Sequence, residues 1–343
     1  MLLGLSLALC SGICLGLLLT PMRKLQGWEW ENFWAVWSIV GLLLGPIAVA
    51  AAVIPHPFEV FSGIGFRLVA LTLVLGALGG TSGFLYSMTI PALGVGLAAA
   101  LNAGSAMATS LLPLAVVHSN TIWRRSGLLT ITGICIAIAG MGICTKAGSL
   151  REQETVDRNV SRAGGMARGS FAKGVVLCLL SGFISSLGLL GLAFPNRIIE
   201  IAQKFGSSDF GANYAFLGPF MVGGFFSNFL YVARRLRTNK TFPRFFGPHT
   251  MRCVGWSAFS AVLFLAGMTT YAAGVAVLGS FGGIVVWGNS MAATILSSSL
   301  WDISNKEWRG RPVRVMAAGV GVLLGAIVLL GLAQYFHQLD VGH

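Results

Sequence analysis

Charged side chains are scarce in this chain. They make up 10% of its residues, whereas a soluble domain carries about 25%. Hydrophobic residues account for 55%, and the mean hydropathy is +0.79. A soluble fold of 343 residues cannot bury so much apolar surface. The apolar runs are continuous and about 20 residues long, which is typical of membrane-spanning helices and not of the alternating strands of a barrel. The composition therefore predicts an all-α membrane protein.

The predicted membrane core also lacks acids and histidines, because all of them lie at span ends or in loops. A membrane enzyme needs clustered ionisable groups or metal ligands in a cavity. A proton pump keeps a carboxylate or a histidine in its core. The six cysteines show no CxxC or metal spacing and are interpreted as packing residues. We expect neither an enzyme, nor a metal site, nor a cofactor.

Ten apolar runs predict ten spans. Two of the gaps between them are short, one marked by Pro91 and Gly94 and the other by Gly274. The predicted spans are residues 2–20, 33–54, 67–89, 94–117, 127–145, 173–193, 213–233, 251–273, 276–300 and 313–336.

The basic residues predict the orientation of these spans. The loops that follow odd-numbered spans contain 18 lysines and arginines, whereas the even-numbered loops and both termini contain 5. The positive-inside rule then places both termini outside the cytoplasm. The net charge of +12 is accordingly interpreted as membrane anchoring and not as nucleic-acid binding. Residues 146–172 form the only long polar stretch and are expected to be a cytoplasmic linker.

The linker separates two halves that resemble each other. Leu7–Gly12 reads LALCSG and Leu177–Gly182 reads LCLLSG, while Tyr86 aligns with Tyr271 and Gly94 with Gly279 at a fixed offset of 185 residues. Each predicted half, 1–145 and 173–343, has five spans. Because five is odd, the two copies must cross the bilayer in opposite senses. Inverted repeats are typical of alternating-access transporters, whose substrate site lies between the repeats.

Neutral polar residues are the remaining candidates for a site. In membrane helices such residues more often hydrogen-bond between helices, but asparagine is costly in the core without a partner. Neutral donors and acceptors beside aromatic rings suit an uncharged polyhydroxylated ligand. Asn102, Ser105 and Thr109 share one helical face. The predicted substrate-binding residues are Tyr86, Asn102, Ser105, Thr109, Tyr271, Trp287, Asn289 and Ser290.

A cluster of tryptophans begins the second span, and acidic residues lie among them. An interfacial aromatic belt is the favoured interpretation of Trp28, Trp30, Trp34 and Trp37. Basic residues at 23 and 24 precede Glu29 and Glu31. We expect these acids to form ion pairs at the surface, with a role in gating left open.

Three stretches resemble the L-rhamnose–proton symporter family of the drug/metabolite transporter superfamily. PMRKLQGWEWENFWAVWSIVG (Pro21 to Gly41) resembles the family's proline, paired basic residues and W-x-W-E. KEWRGRPVRV (Lys306 to Val315) is similar to its K-E-W followed by G-R-R-P-V, and YSMTIPALGVG (Tyr86 to Gly96) to its Y-G-L-T…L-G-M-S-M-G. The resemblance implies ten helices arranged as two inverted five-helix repeats in the inner membrane.

The resemblance also implies an activity. We expect a secondary transporter that imports a neutral monosaccharide, a rhamnose-like deoxy sugar, with a proton, by alternating access. Glu29, Glu31 and Asp302 are the nearest candidates for coupling. The alternatives are an exporter of metabolites or amino acids from the same superfamily and an uncoupled sugar facilitator.

Overall fold

The computed structural model describes residues 1–156, 168–194, 196–304 and 310–341. Within these ranges every regular element is a helix, which confirms the all-α class. Polar residues begin several of the helices. Glu29 and Asn32 form a reciprocal capping box at the start of one helix, and the Ser208 side chain accepts from the Gly211 amide at the start of another. Such caps satisfy amide groups that have no partner within the helix.

The first half contains eight α-helices, a π-helical turn and two short 3₁₀ turns. The α-helices are α1 (Leu2–Leu17), α2 (Trp30–Ser38), α3 (Gly45–Val53), α4 (Pro57–Ile64), α5 (Phe66–Gly80), α6 (Ser82–Thr109), α7 (Leu111–Val116) and α8 (Arg125–Val156). The π-helical turn Ile39–Leu44 joins α2 to α3, and the 3₁₀ turns are Thr20–Lys24 and Ser119–Thr121.

The described part of the second half contains six α-helices and one 3₁₀ turn, Phe242–Phe246. The helices are α9 (Arg168–Ser185), α10 (Leu187–Ala193), α11 (Arg197–Lys204), α12 (Asp209–Thr238), α13 (Thr250–Ser304) and α14 (Arg311–Val341). At the centre, α12 packs on α5, α2 and α3, while α14 packs on α8.

Seven segments of the described chain are long and apolar enough to cross a membrane, which supports a multi-pass membrane protein. Two further helical segments, Leu101–Val116 and Ala172–Ser185, are apolar but shorter. The expected count of ten spans stays a prediction. The seven segments are Leu2–Met22, Trp30–Val53, Phe66–Tyr86, Arg125–Gly148, Asp209–Thr238, Thr250–Trp301 and Arg311–Asp340.

The longest of these segments, Thr250–Trp301, folds back on itself. Its 52 residues would form a straight helix of about 78 Å, whereas a bilayer core is about 30 Å thick. Gly279 interrupts α13 with a φ of 76°, a left-handed conformation that suits glycine. The rings of Tyr271 and Trp287 lie 5.7 Å apart, whereas a straight helix would separate these residues by about 24 Å. The chain therefore reverses at Gly279 into two antiparallel arms.

The chain also reverses within α6. The Ser181 hydroxyl of α9 donates to the Ser82 carbonyl at 2.8 Å and accepts from Asn102 Nδ2 at 2.7 Å. In a straight helix Ser82 and Asn102 would be about 30 Å apart. The turn therefore falls between these two residues, in the stretch where the sequence predicted a gap at Pro91 and Gly94.

The two reversals make α6 and α13 helical hairpins, and each hairpin packs against a helix of the other half. Helix α1 packs along α13, and α9 packs along α6. The hydroxyl of Ser290 donates to the Ala8 carbonyl at 3.0 Å, and that of Ser105 donates to the Leu179 carbonyl at 2.7 Å. Ser105 and Ser290 are related by the 185-residue offset. Two positions of the predicted repeat thus make similar contacts with the opposite half.

The helices beside the predicted linker are longer than the sequence indicated. The predicted spans end at residue 145 and begin at residue 173, whereas α8 continues to Val156 and α9 begins at Arg168; the division into two repeats and a linker stays a prediction. Charged and polar residues after position 150 are good helix formers, and a helix that leaves the bilayer need not end at its surface. The middle of the linker, 157–167, lies outside the described residues.

Candidate functional site

A cavity of about 550 Å³ lies between the two halves. The first half contributes residues from α1, the turn after it, α2 and α6, and the second half contributes residues from α12 and α13. None of the lining residues is charged. They are Leu15, Gly16, Leu18, Leu19, Met22, Trp30, Trp34, Gly83, Phe84, Tyr86, Asn228, Tyr231, Thr294 and Ser298.

Aromatic rings form much of the cavity wall. The ring of Tyr231 stacks on that of Phe84 at 4.7 Å and meets Trp30 edge-on at 6.2 Å. Trp30 lies 5.7 Å from Trp34, because residues four apart are neighbours on a helix surface. Rings from α2, α6 and α12 thus form one continuous surface that spans both halves.

A few neutral polar groups interrupt this aromatic surface. Thr294 and Ser298 donate to backbone carbonyls of their own helix, at 2.7 Å and 3.0 Å, which leaves the hydroxyl oxygens able to accept. Asn228 is half-buried within α12, and its side chain forms no hydrogen bond with any residue that the structure describes. Its amide offers two donors and an acceptor to a ligand. The site can therefore bind hydroxyl groups through Asn228, Thr294 and Ser298.

The predicted site residues are distributed between this cavity and the helix contacts around it. Tyr86 lines the cavity. Asn102 bonds to Ser181, Ser105 to a carbonyl of α9, and Thr109 to the Ser105 carbonyl at 2.8 Å. Ser290 likewise bonds to α1. Four of the predicted residues thus already have a hydrogen-bond partner in helix packing, and their role in substrate binding stays a prediction.

Three other predicted residues, Tyr271, Trp287 and Asn289, are buried. The indole of Trp287 donates to the Ala106 carbonyl at 3.3 Å, and its ring packs edge-on against Tyr271. The Tyr271 hydroxyl and the Asn289 Oδ1 have no hydrogen-bond partner among the described residues. Buried polar atoms without a partner are costly. The Tyr271–Trp287 layer, formed by these two packed rings together with Asn289, therefore has polar groups that its own packing does not satisfy.

A second cavity of about 430 Å³ lies at the Gly279 reversal within α13, and it too combines residues of both halves. Tyr271 is one helical turn from Val275, which lines this cavity, whereas Trp287 is two turns from Thr294, which lines the first. The Tyr271–Trp287 layer therefore lies between the two cavities. The residues that line the second cavity are Val117, Leu192, Phe194, Asn196, Ile199, Glu200, Gln203, Asp209, Asn213, Val275, Ala276, Gly279 and Ser280.

The acids predicted to pair at the surface separate into two environments. Glu29 forms an ion pair with Arg244 at 2.8 Å, and both side chains are about half exposed. The surface prediction was wrong for Glu31, which is 2% exposed. Its Oε1 accepts from Asn239 Nδ2 at 2.9 Å and from Thr241 Oγ1 at 2.8 Å. The side chain of Asp302 lies outside the described part of the structure.

The comparisons with known proteins identify the family. Residues 1–334 match the sequence model of the L-rhamnose-proton symport protein family. The chain is similar to the L-rhamnose-proton symporters of Shigella dysenteriae serotype 1 (strain Sd197), Escherichia coli (strain SMS-3-5 / SECEC) and Escherichia coli O45:K1 (strain S88 / ExPEC). Each is 24% identical over 327 residues, which are 92% of this chain and 92% of the relative. The chain belongs to this family. The resemblance drawn from the three motifs is confirmed, and the family is one of transporters and not of enzymes.

The first motif of this rhamnose-symporter family member builds the junction between its halves. Trp28 donates from its indole to the Arg244 carbonyl at 3.1 Å, and Asn32 donates to the Thr241 carbonyl at 3.0 Å. Lys24 lies 4.2 Å from the centre of the Trp256 ring, a cation–π contact. Thr241, Arg244 and Trp256 all belong to the second half.

The tryptophans of the same motif lie partly inside the protein, and their place in an interfacial aromatic belt stays a prediction. Trp28 and Trp37 are buried at 8% and 4% exposure, and Trp30 and Trp34 line the cavity. The helical spacing of positions 30 and 34 was a usable signal, because it puts two indoles on one face. The same kind of spacing relates Asn228 to Tyr231 and Thr294 to Ser298, but Asn228, Tyr231 and Ser298 are not among the predicted site residues.

Proposed function

We propose that this protein is a secondary transporter that imports a neutral monosaccharide, a rhamnose-like deoxy sugar, together with a proton. The observation that carries the proposal is the uncharged cavity of about 550 Å³ between the halves. Small-molecule sites are concave, mostly apolar and fitted with a few placed polar groups, and this cavity meets each criterion. Family membership over residues 1–334 supports the sugar and the proton as co-substrates.

The chemistry of the lining favours a sugar with reduced polarity. Aromatic faces of Trp30 and Tyr231 can pack against the C–H surface of a sugar ring and against a methyl group. The amide of Asn228 and the hydroxyl oxygens of Thr294 and Ser298 can bond to ring hydroxyls. A charged amino acid would lose its hydration here without gaining an opposite charge, which is costly. The lining therefore disfavours the amino-acid exporter.

Alternating access is the proposed mechanism. The two cavities, at opposite ends of the inter-half region, are separated by the layer of Tyr271 and Trp287. A sugar in the first cavity reaches the other side when the halves rock and this layer opens. The unpartnered Tyr271 hydroxyl and Asn289 oxygen would then bond to the passing sugar. The predicted binding roles of Tyr86, Asn102, Ser105, Thr109, Tyr271, Trp287, Asn289 and Ser290 belong to this proposal.

The proposed architecture is ten spans in two inverted repeats, in the inner membrane, with both termini outside the cytoplasm. The similar contacts of Ser105 and Ser290 with the opposite half support the repeat. The two chain reversals, one within α6 and one at Gly279, support more crossings than seven.

The test is uptake of radiolabelled L-rhamnose by proteoliposomes that contain the purified protein, with and without an inward proton gradient. We expect saturable uptake that the gradient drives uphill. Saturable uptake that ignores the gradient would identify an uncoupled facilitator. No saturable uptake of rhamnose or of any neutral monosaccharide in a panel would overturn the proposal.

A further inference from the structure

Glu31 is the one charged side chain that is buried among the described residues of this protein. Its carboxylate belongs to α2, and it lies directly after Trp30, which lines the first cavity. Burying a carboxylate is costly unless its oxygens are hydrogen-bonded. The structure supplies two side-chain donors, so the site is built to hold a carboxyl group.

Both donors come from the opposite half of the molecule. Asn239 and Thr241 lie just after α12, and each donates to Glu31 Oε1, at 2.9 Å and 2.8 Å. The neighbouring Asn32 also bonds to the Thr241 backbone. An ionised carboxylate only accepts hydrogen bonds, and those it accepts are stronger than neutral ones. The charge on Glu31 therefore strengthens the junction between the halves.

Charged groups surround this junction. Those on the elements that pack there include Lys24, Glu29, Arg234, Arg235, Arg237, Lys240, Arg244, His249 and Arg252. Arg244 is paired with Glu29, and Lys24 lies over Trp256. Arg235 acts electrostatically on the Glu31 carboxylate. A proton that binds Glu31 thus removes a charge that Arg235 and the two hydrogen-bond donors all stabilise.

The junction is connected to the cavity through two helices. On α2, Trp30 precedes Glu31 and Trp34 follows it by about one turn. Asn239, the residue directly after α12, lies eight residues after Tyr231, about 12 Å further along the helix axis. Movement of Asn239 and Thr241 away from Glu31 therefore changes the distance between the aromatic walls that hold the ligand.

We propose that Glu31 is the carboxylate whose protonation couples proton movement to opening of the junction between the halves. The ionised form holds Asn239 and Thr241. The protonated form loses the charge that strengthens these bonds, and the junction opens with the proton bound. Because the two equilibria share one group, each cycle of opening and closing binds and releases one proton at Glu31. This inference rests on the proposed function, since it assigns the coupling residue of that transporter.

The experiment compares Glu31→Gln with Glu59→Gln in proteoliposomes. Glutamine keeps an oxygen that accepts from Asn239 and Thr241 but cannot take up a proton. We expect Glu31→Gln to lose sugar-induced proton uptake and to accumulate at least tenfold less sugar against its gradient. Exchange of labelled for unlabelled sugar, the third activity, should continue. Glu59→Gln changes an exposed acid of α4 that lies outside the junction, and is expected to keep all three activities. Proton uptake at the wild-type ratio in Glu31→Gln would overturn the inference.

A second variant, Thr241→Val, decides the matter if Glu31→Gln does not fold. It removes a hydrogen bond that favours the ionised Glu31 carboxylate, so Glu31 becomes easier to protonate. The pH at which sugar exchange is half-maximal should therefore rise by about one unit. An unchanged midpoint would overturn the inference. Failure of the wild type to transport any sugar would instead refute the proposed function, so the two failures are distinguishable.

Discussion

Gly12 and Gly182 lie where the two hairpins receive the helices of the opposite half, and alanine at either position should destabilise the fold. A methyl group at Gly12 would lie 2.9 Å from the Thr294 amide nitrogen and still closer to the Ser290 carbonyl oxygen. At Gly182 it would lie 2.7 Å from the Ser105 Cβ and closer to the Asn102 carbonyl oxygen. Most of these partners are backbone atoms, which cannot rotate away. Overpacking of this kind costs about 1–3 kcal/mol per site.

Thermal unfolding of the purified protein in detergent measures the effect. We expect Gly12→Ala and Gly182→Ala each to lower Tm by several degrees and to do so by similar amounts. Gly142→Ala is the matched control, because Gly142 is within α8 and a methyl group there has no neighbour within 4 Å. In a helix that change is neutral or stabilises by up to about 1 kcal/mol. Wild-type Tm values for both test variants would refute the described packing of α1 on α13 and α9 on α6.

Three further predictions follow from the site and the hairpin. Asn228→Ala should raise the KM for L-rhamnose by about three- to tenfold, because it removes a net hydrogen bond of about 0.5–1.5 kcal/mol; an unchanged KM in the uptake assay would separate Asn228 from the sugar. Ser298→Cys, in a protein whose native cysteines are replaced by serine, should react with a water-soluble maleimide and be protected by rhamnose; labelling that rhamnose leaves unaltered would place the sugar elsewhere. Gly279→Ala should lower Tm, because its φ of 76° and ψ of −170° lie in a region that is essentially restricted to glycine and costs another residue about 1–3 kcal/mol, whereas Gly255→Ala, with open space around it, should leave Tm near the wild-type value.

The fold could be predicted from the sequence to the extent that local chemistry determines it. Long apolar runs indicated helices, because only helices and closed barrels satisfy the backbone hydrogen bonds inside a bilayer and the runs lack the alternating pattern of barrel strands. Pro91 and Gly94 indicated the first reversal, and the fixed offset connected it to Gly279. The second gap was placed at Gly274, five residues early, because glycine content alone does not show which glycine has a positive φ.

The site could be predicted only in part. The shared face of Asn102, Ser105 and Thr109 was recognised, but a single sequence does not show whether a neighbouring helix covers a polar face. In the structure α9 covers Asn102 and Ser105. Trp30 and Trp34 had the opposite problem, because a tryptophan near a span end is typical both of the interface and of an internal wall. Which of the two applies depends on α12, whose position no local pattern indicates.

Equilibrium binding of L-rhamnose to the purified protein, followed by intrinsic tryptophan fluorescence, tests most directly whether the cavity between the halves is a sugar site. Binding there should give a saturable change that comes from Trp30 and Trp34. The double variant Trp30→Phe, Trp34→Phe should therefore lose most of the signal and bind more weakly, while Trp123→Phe, an exposed position outside the cavity, should retain both. An unaltered signal and affinity in the double variant, or no saturable change in the wild type, would contradict a sugar site between the halves.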